Sequence, residues 1–239
     1  TLMKIALFIF FALFHSLYAA GKAPMIIPKP HQMKLSDGHF KLDDQIRVIS
    51  KNKELHRAAV LLIDKLEADF GIKLLQTSSK NVGHSQSIVL QLKKGHDELP
   101  ESYRLEINKS EIHIQASTIG GVLNGIQTFF QILPLNKVKS SIELPCLSIS
   151  DHPRYKWRAV LLDVSRYFFE VKFLKRYIDI LAMHKINTLH LHLIDDSGWR
   201  IEIKKYPKLT RMGGFRGEGL SRYGGFYTQE DMKDLIQYA

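Results

Sequence analysis

The order of apolar segments after Asp151 restricts the fold more than any other feature of the chain. Apolar stretches at residues 159–164 and 188–194 predict two strands. Between them, residues 172–184 place apolar side chains at three- and four-residue spacings, which predicts a helix. A further helix is predicted over 229–239, after a glycine-containing loop. The order strand, helix, strand, loop, helix is typical of a parallel α/β fold.

This part of the chain is too short to form a closed domain of that class. Two strand–helix units cannot close a sheet or a barrel, because an eight-stranded barrel takes roughly 250 residues. A last helix without its next strand would also expose an apolar face. The chain opens with Thr1-Leu2 ahead of Met3, which is unusual for a start. We therefore expect the sequence to be a partial record that holds about a third of this domain.

The residues before Asp151 follow a different pattern. The predicted elements are a loose strand over 40–50, a helix over 54–70 ended by Gly71, strands over 88–92, 103–107 and 112–116, and a helix over 120–133. Turn residues at 108–110 predict that the last two strands form a hairpin. A few strands with two helices predict an α+β sandwich domain over residues 24–150, with the helices on one face. Because this region has no catalytic arrangement of residues, we interpret it as a scaffold.

The first twenty residues have the composition of a signal peptide. Met3-Lys4 precedes an apolar run at residues 5–14, and small residues follow at 19–21. The run is shorter than the roughly 20 residues of a membrane-spanning helix, so no stable membrane anchor is expected. We predict that residues 1–20 are a signal peptide. The protein is then exported to a periplasmic, extracellular or lysosome-like compartment.

Charge and cysteine content exclude other classes of partner and chemistry. The net charge is +10, from 34 basic and 24 acidic residues. No run of Lys and Arg is longer than two residues, whereas a nucleic-acid binder concentrates such charge in a stripe or tail. We therefore expect no nucleic-acid partner. The single cysteine, Cys146, cannot form an intrachain disulfide, and its apolar neighbours predict a buried small side chain.

Polar residues follow both predicted strands of the second region, where parallel α/β folds bind ligands. Arg166, after the first strand, has the donors to bind vicinal hydroxyls or an anion. An equally good interpretation is a structural salt bridge with Asp163. After the second strand come Asp195 and Asp196. Adjacent strand residues face opposite sides, so we expect at most one of them to face a ligand and the other to cap the turn that follows.

His190 and His192 allow a different function. Side chains alternate along a strand, so these two residues lie on the same face. Such a pair can bind zinc in metal-dependent hydrolases with a barrel fold, although two histidines make only part of a zinc site. Two polar side chains that fill a barrel interior would give the same pattern.

Four segments carry a resemblance to a known family. They read RAVLLDVSR at 158–166, KINTLHLHLIDDSGWR at 185–200, YPKLT at 206–210 and YGGFYTQED at 223–231. Together they resemble the opening of the barrel in family 20 glycoside hydrolases, the β-N-acetylhexosaminidases. Residues 101–105 and 116–130 are similar to the domain that precedes that barrel. The resemblance implies a (β/α)8 TIM barrel that is truncated after about two βα units, with residues 151–239 as the incomplete catalytic domain.

The same resemblance implies roles for individual residues. Arg166 matches the arginine that binds hydroxyls of the terminal sugar. Asp195 matches an aspartate that supports the polar network of the active site. His190 and His192 match strand positions, His192 as a supporting residue, in a family that uses no metal or other cofactor. The implied ligand is an oligosaccharide or glycan that contains N-acetylhexosamine.

The family's reaction is a substrate-assisted retaining hydrolysis. The 2-acetamido oxygen of the substrate attacks the anomeric carbon, while an Asp-Glu pair orients it and protonates the leaving oxygen. That pair is expected beyond Ala239, so this chain holds no catalytic residue and is predicted to be inactive by itself. A glycan-binding homologue without catalysis is the alternative within the family.

Overall fold

The structure is a computed structural model that describes residues 23–77, 86–93, 99–135 and 141–239. These residues form two compact units, one up to His152 and one from Pro153. The predicted signal peptide at 1–20 lies outside the described residues. Within the described ranges, no helix has the length and apolar character needed to cross a membrane.

The first unit is built on one mixed sheet. Its strands are β1 (Gln32–Leu42), β2 (Arg47–Ser50), β3 (Leu75–Thr77), β4 (Ser87–Leu92), β5 (Tyr103–Ile107), β6 (Glu111–Ala116) and β7 (Ile142–Asp151). They are ordered β1-β7-β5-β6-β4-β2-β3. The pairs that involve β5 or β7 are antiparallel, and the pairs among β2, β3, β4 and β6 are parallel.

The predicted hairpin is β5 and β6. In both strands buried residues alternate with more exposed ones, so that Leu105 lies opposite Ile114 in the core. The turn is closed by Asn108, whose Oδ1 accepts the backbone N–H groups of Ser110 at 2.9 Å and Glu111 at 2.8 Å. The structure therefore confirms both the hairpin and the turn residues that predicted it.

Two helices cover the sheet and contact each other, α1 (His56–Phe70) and α2 (Ile119–Ile132). The first ends at Gly71, whose φ of 71° is the left-handed conformation that glycine adopts without strain. The second begins at Thr118, whose hydroxyl accepts the N–H of Gly121 at 3.1 Å. Their buried faces complete a single hydrophobic core with the sheet, which confirms the α+β domain.

The sequence prediction missed β3, β7 and most of β1, and it merged the end of β1 with β2. The loose strand expected over 40–50 is the end of β1 and the whole of β2, separated by a short turn. The ten-residue β7 was not predicted, because Pro145 interrupts its pattern and cannot donate to a ladder. Pro145 pairs with His39, next to an irregularity in the register of β1 between Leu35 and His39, where the loss of one donor is accommodated.

The buried cysteine predicted from sequence lies in β7. Only 3% of Cys146 is exposed, and burial raises the pKa of its thiol. A protonated, enclosed thiol is unreactive. The structure confirms Cys146 as a small apolar core residue.

The second unit begins with a βαβ arrangement. Its elements are β8 (Ala159–Asp163), α3 (Val171–Met183), β9 (Thr188–His192), β10 (Ile194–Asp195), β11 (Gly198–Trp199), α4 (Lys208–Gly213), β12 (Phe215–Arg216), β13 (Tyr223–Gly224) and α5 (Gln229–Tyr238). Strands β8 and β9 are parallel and joined through α3, as predicted. The strand predicted over 188–194 ends at His192, because Ile194 turns into a tight hairpin formed by β10 and β11.

A capping box starts the last helix. The hydroxyl of Thr228 accepts the N–H of Asp231 at 3.0 Å, and the Asp231 carboxylate accepts the N–H of Thr228 at 2.8 Å. Leu235 of this helix packs with Val164, Leu174 and Tyr227 in the core of the unit.

Candidate functional site

The candidate site lies where the two parallel strands of the second unit end. Strands β8 and β9 pair in register up to Asp163 and His192, which are opposite each other. The loops that follow therefore start at the same edge of the sheet. This edge is where parallel α/β proteins bind ligands.

Asp163 organises the loop after β8. Its Oδ1 accepts the backbone N–H groups of Ser165 and Arg166, both at 3.0 Å. Its Oδ2 lies 2.5 Å from Nη1 of Arg166. The salt bridge that was one interpretation of Arg166 is therefore present.

Asp195 joins the two loops. Its Oδ2 lies 2.8 Å from Nη2 of Arg166 and 2.7 Å from Nε2 of His192. Its Oδ1 accepts the backbone N–H of Asp196 at 2.8 Å. The three residues predicted from sequence, Arg166, Asp195 and His192, thus form one contiguous cluster, which we call the strand-end cluster.

Asp196 is oriented differently from its neighbour. It lies in the turn between β10 and β11, where its Oδ1 accepts the hydroxyl of Ser197 at 3.1 Å. Only Asp195 of the two carboxylates contacts Arg166 and His192. One carboxylate of the pair thus lies in the cluster and the other in the turn, and it stays a prediction that Asp195 faces a ligand.

Arg166 keeps donors for a ligand in spite of its two ion pairs. A guanidinium has five N–H donors in a planar fork. Two of its nitrogens contact carboxylates among the described residues, one donor each, which leaves three N–H groups. The side chain is 55% exposed, so a ligand can reach them. The carboxylates hold the guanidinium in place and leave three of its five donors for a ligand.

Both carboxylates that contact Arg166, those of Asp163 and Asp195, are ionised at neutral pH. The hydrogen bond from His192, supported by the N–H of Asp196 and the charge of Arg166, lowers the pKa of Asp195 from 3.8 to about 2. The backbone N–H of Arg166, followed by its side chain, lowers the pKa of Asp163. Neither group can donate a proton at neutral pH, so their role is to hold Arg166.

The pKa of Asp195 predicts how its contribution to stability depends on pH. Because folding lowers this pKa, the ionised carboxylate stabilises the folded state above about pH 4, and the contribution is lost as the pH falls towards 2. Asp195→Asn should remove this component, so that the free energy of unfolding falls less steeply with acid between pH 4 and 2. Urea unfolding at several pH values measures it. The exposed Asp37→Asn is the control, and identical acid dependence in Asp195→Asn and the wild type would contradict the assignment.

The two histidines proposed as zinc ligands do not form a metal site with their neighbours. His190 is exposed, and His192 is engaged by Asp195. Throughout the part of the chain that the structure describes, no three His, Cys, Asp or Glu side chains are placed to hold a metal ion together. Within these residues, His190 and His192 therefore have no third ligand beside them.

Arg200 is a residue whose importance sequence reasoning missed. Its side chain is fully buried and donates to the carbonyl oxygens of Val164, Ser165, Gly214 and Gly225. Its acceptors are backbone atoms, which residues of any type supply. For this reason the sequence contains no signal that identifies the partners of Arg200.

Fold and site together define a class of protein. The chain contains the opening of a parallel βα barrel, with a polar cluster at the carboxyl ends of its strands, preceded by an α+β domain. Residues 155–239 match the catalytic domain of glycosyl hydrolase family 20, and residues 23–152 match domain 2 of the same family. The chain belongs to glycosyl hydrolase family 20.

Sequence similarity to named relatives supports this assignment. The chain is 40% identical to a beta-hexosaminidase of Porphyromonas gingivalis over 90% of its length, and 34% identical to a beta-hexosaminidase of Vibrio furnissii over 90%. These matches cover 28% and 35% of the relatives. The chain therefore spans about a third of the proteins that it resembles.

Solved structures confirm the fold class. An exo-β-N-acetylglucosaminidase of Vibrio harveyi, in complex with N-acetylglucosamine, superposes with a TM-score of 0.80 at 33% identity, over 91% of this chain and 35% of that one. An N-acetyl-β-hexosaminidase of Streptomyces plicatus gives 0.79 at 34% identity, over 92% and 45%. The prediction of an α+β domain followed by the start of a TIM barrel is confirmed.

Proposed function

We propose that the whole protein is an exo-acting β-N-acetylhexosaminidase that releases terminal N-acetylhexosamine from oligosaccharides or glycans. The observation that carries the proposal is the strand-end cluster, in a chain that belongs to family 20. Relatives that bear this name, and a structural neighbour with bound N-acetylglucosamine, support it.

In this proposal the cluster binds the sugar and does not carry out the proton transfers. The three remaining N–H groups of Arg166 donate to hydroxyls of the terminal sugar. Asp195 fixes the orientation of the guanidinium, and His192 fixes that of Asp195. A general acid needs a pKa near the working pH. The lowered pKa values of Asp163 and Asp195 favour other groups for that task, and we propose that these are the Asp-Glu pair implied by the family resemblance.

The nucleophile in this proposal is the substrate's own acetamido oxygen. Held against the anomeric carbon, an intramolecular nucleophile gains a large effective concentration. A substrate without the acetamido group should therefore react poorly. The whole protein is expected to hydrolyse an aryl N-acetyl-β-glucosaminide at least about 100-fold faster, in kcat/KM, than the matching aryl β-glucoside.

The outcome of this assay separates the proposal from its alternative. Equal rates on the two substrates would contradict acetamido participation. Binding of N-acetylglucosamine without hydrolysis of either substrate would instead favour a non-catalytic glycan-binding homologue.

We also propose that the protein is exported, which predicts that deletion of residues 1–20 retains it in the cytoplasm on cell fractionation.

A further inference from the structure

A buried cation with uncharged partners lies directly behind the strand-end cluster. Arg200 is fully buried in the second unit. Its Nε donates to the carbonyl of Val164 at 3.1 Å, and its Nη2 donates to that of Ser165 at 2.7 Å. Nη1 donates to the carbonyls of Gly214 at 2.5 Å and Gly225 at 3.1 Å. Within the described ranges, its hydrogen-bond partners are backbone carbonyls and include no carboxylate.

These contacts lie on both sides of Arg166 in the chain. The carbonyls of Val164 and Ser165 come immediately before it. Phe168 comes two residues after it, and its ring lies 5.8 Å from Cζ of Arg200. The loop that presents Arg166 is thus held by one guanidinium at its beginning and at its end.

The neighbouring hairpin is shaped to admit this guanidinium. Ser165 donates its hydroxyl to the carbonyl of Gly198 at 2.8 Å, which ties the loop to the hairpin. A Cβ at Gly198 would lie 2.5 Å from Cζ of Arg200, well inside van der Waals contact. Glycine at this position is therefore required by the close approach of the Arg200 side chain.

Packing alone does not account for an arginine at this position. Burying a cation among neutral acceptors is costly, and an apolar side chain of similar length would fill the space without that cost. What an arginine adds is a rigid fork of donors that fixes several carbonyls in one arrangement. Those carbonyls belong to the loop of Arg166 and to the glycine-containing segments at 214 and 225.

We propose that Arg200 is a positioning residue, which acts through Arg166 by holding the segment from Val164 to Phe168 in the conformation that binds the sugar. This inference rests on the proposed function and extends it. Arg200 contacts no substrate itself. Arg200 affects catalysis only because it keeps Arg166 in the position that binds the sugar.

A double-mutant cycle in the whole protein tests this coupling. Arg200→Lys keeps the charge but loses the fork, and should lower kcat/KM for an aryl N-acetyl-β-glucosaminide by roughly 10- to 100-fold, since small misplacements of binding groups have effects of this size. In the Arg166→Ala background the same substitution should cost less than about 3-fold, because the group that it positions is absent. The exposed Arg211→Lys is the matched control and should leave kcat/KM unchanged.

A general structural role for Arg200 predicts a different result. The loss caused by Arg200→Lys would then be equal in both backgrounds, which would overturn the proposal. Should Arg200→Lys not fold, Gly198→Ala displaces the guanidinium with a single methyl group and should show the same background-dependent loss.

A crystal structure of the variant gives a readout that is independent of activity. In Arg200→Lys the segment 164–168 should be displaced, and the contact between Nη2 of Arg166 and Oδ2 of Asp195 should be lost. An unchanged loop would overturn the positioning role even in a protein that is active. An inactive wild type would count against the proposed hydrolase function, while the position of the loop in the variant would still decide the role of Arg200.

Discussion

Replacing Arg166 by alanine is expected to lower kcat/KM of the whole protein for an aryl N-acetyl-β-glucosaminide by roughly 100-fold, because hydrogen bonds from a charged donor to the sugar are lost. The substitution also leaves Asp163 and Asp195 without their cation, so that two like charges face the empty position. Steady-state kinetics on purified protein measures the effect.

The fold should tolerate this substitution, since the side chain is more exposed than buried and its loop is held by other contacts. The melting temperature is expected to change little. Arg211→Ala, an exposed arginine of the same unit, is the matched control and should keep wild-type kinetics. If Arg166→Ala kept the wild-type kcat/KM, the result would contradict the role of Arg166 in binding the sugar.

Leu105→Ala is expected to lower the free energy of unfolding of the first unit by about 3 to 4 kcal/mol. Leu105 is fully buried in β5, opposite Ile114 on one neighbouring strand and Ile149 on the other. Alanine there loses apolar contacts and leaves a cavity in the centre of the sheet. Urea denaturation followed by circular dichroism measures the change.

The exposed Leu135 supplies the control for this experiment. Leu135→Ala makes the same chemical change at a fully exposed position and should alter the free energy of unfolding by less than about 0.5 kcal/mol. Similar changes in the free energy of unfolding for Leu105→Ala and Leu135→Ala would contradict the core described for this unit.

Much of the fold was accessible from the sequence because its elements have clear periods. The alternation in β5 and β6 and the helical spacing in α1, α2 and α3 identified these elements within one or two residues. Strand β7 was missed because Pro145 breaks its alternation, and only its long pairing with β1 makes it a strand. The hairpin of β10 and β11 has two residues on each side, which is too short for any period to be read.

The candidate site also has features that the sequence predicted and features that it could not predict. The positions of Arg166 and Asp195 directly after two predicted strands were enough to expect them at the same edge of the sheet. Their ion pair and the bond from His192 depend on how the β10–β11 hairpin turns back, which only the structure shows. The contacts of Arg200 were not predictable, because its acceptors are carbonyl groups from three separate segments of the chain.

The central claim is that the strand-end cluster binds a terminal N-acetylhexosamine. The most direct test is a crystal structure of the whole protein soaked with N-acetylglucosamine. We expect Arg166 to donate hydrogen bonds of about 3 Å to hydroxyls of the sugar while Asp195 keeps its contact with the guanidinium. A sugar bound elsewhere, with Arg166 contacting only Asp163 and Asp195, would contradict the claim.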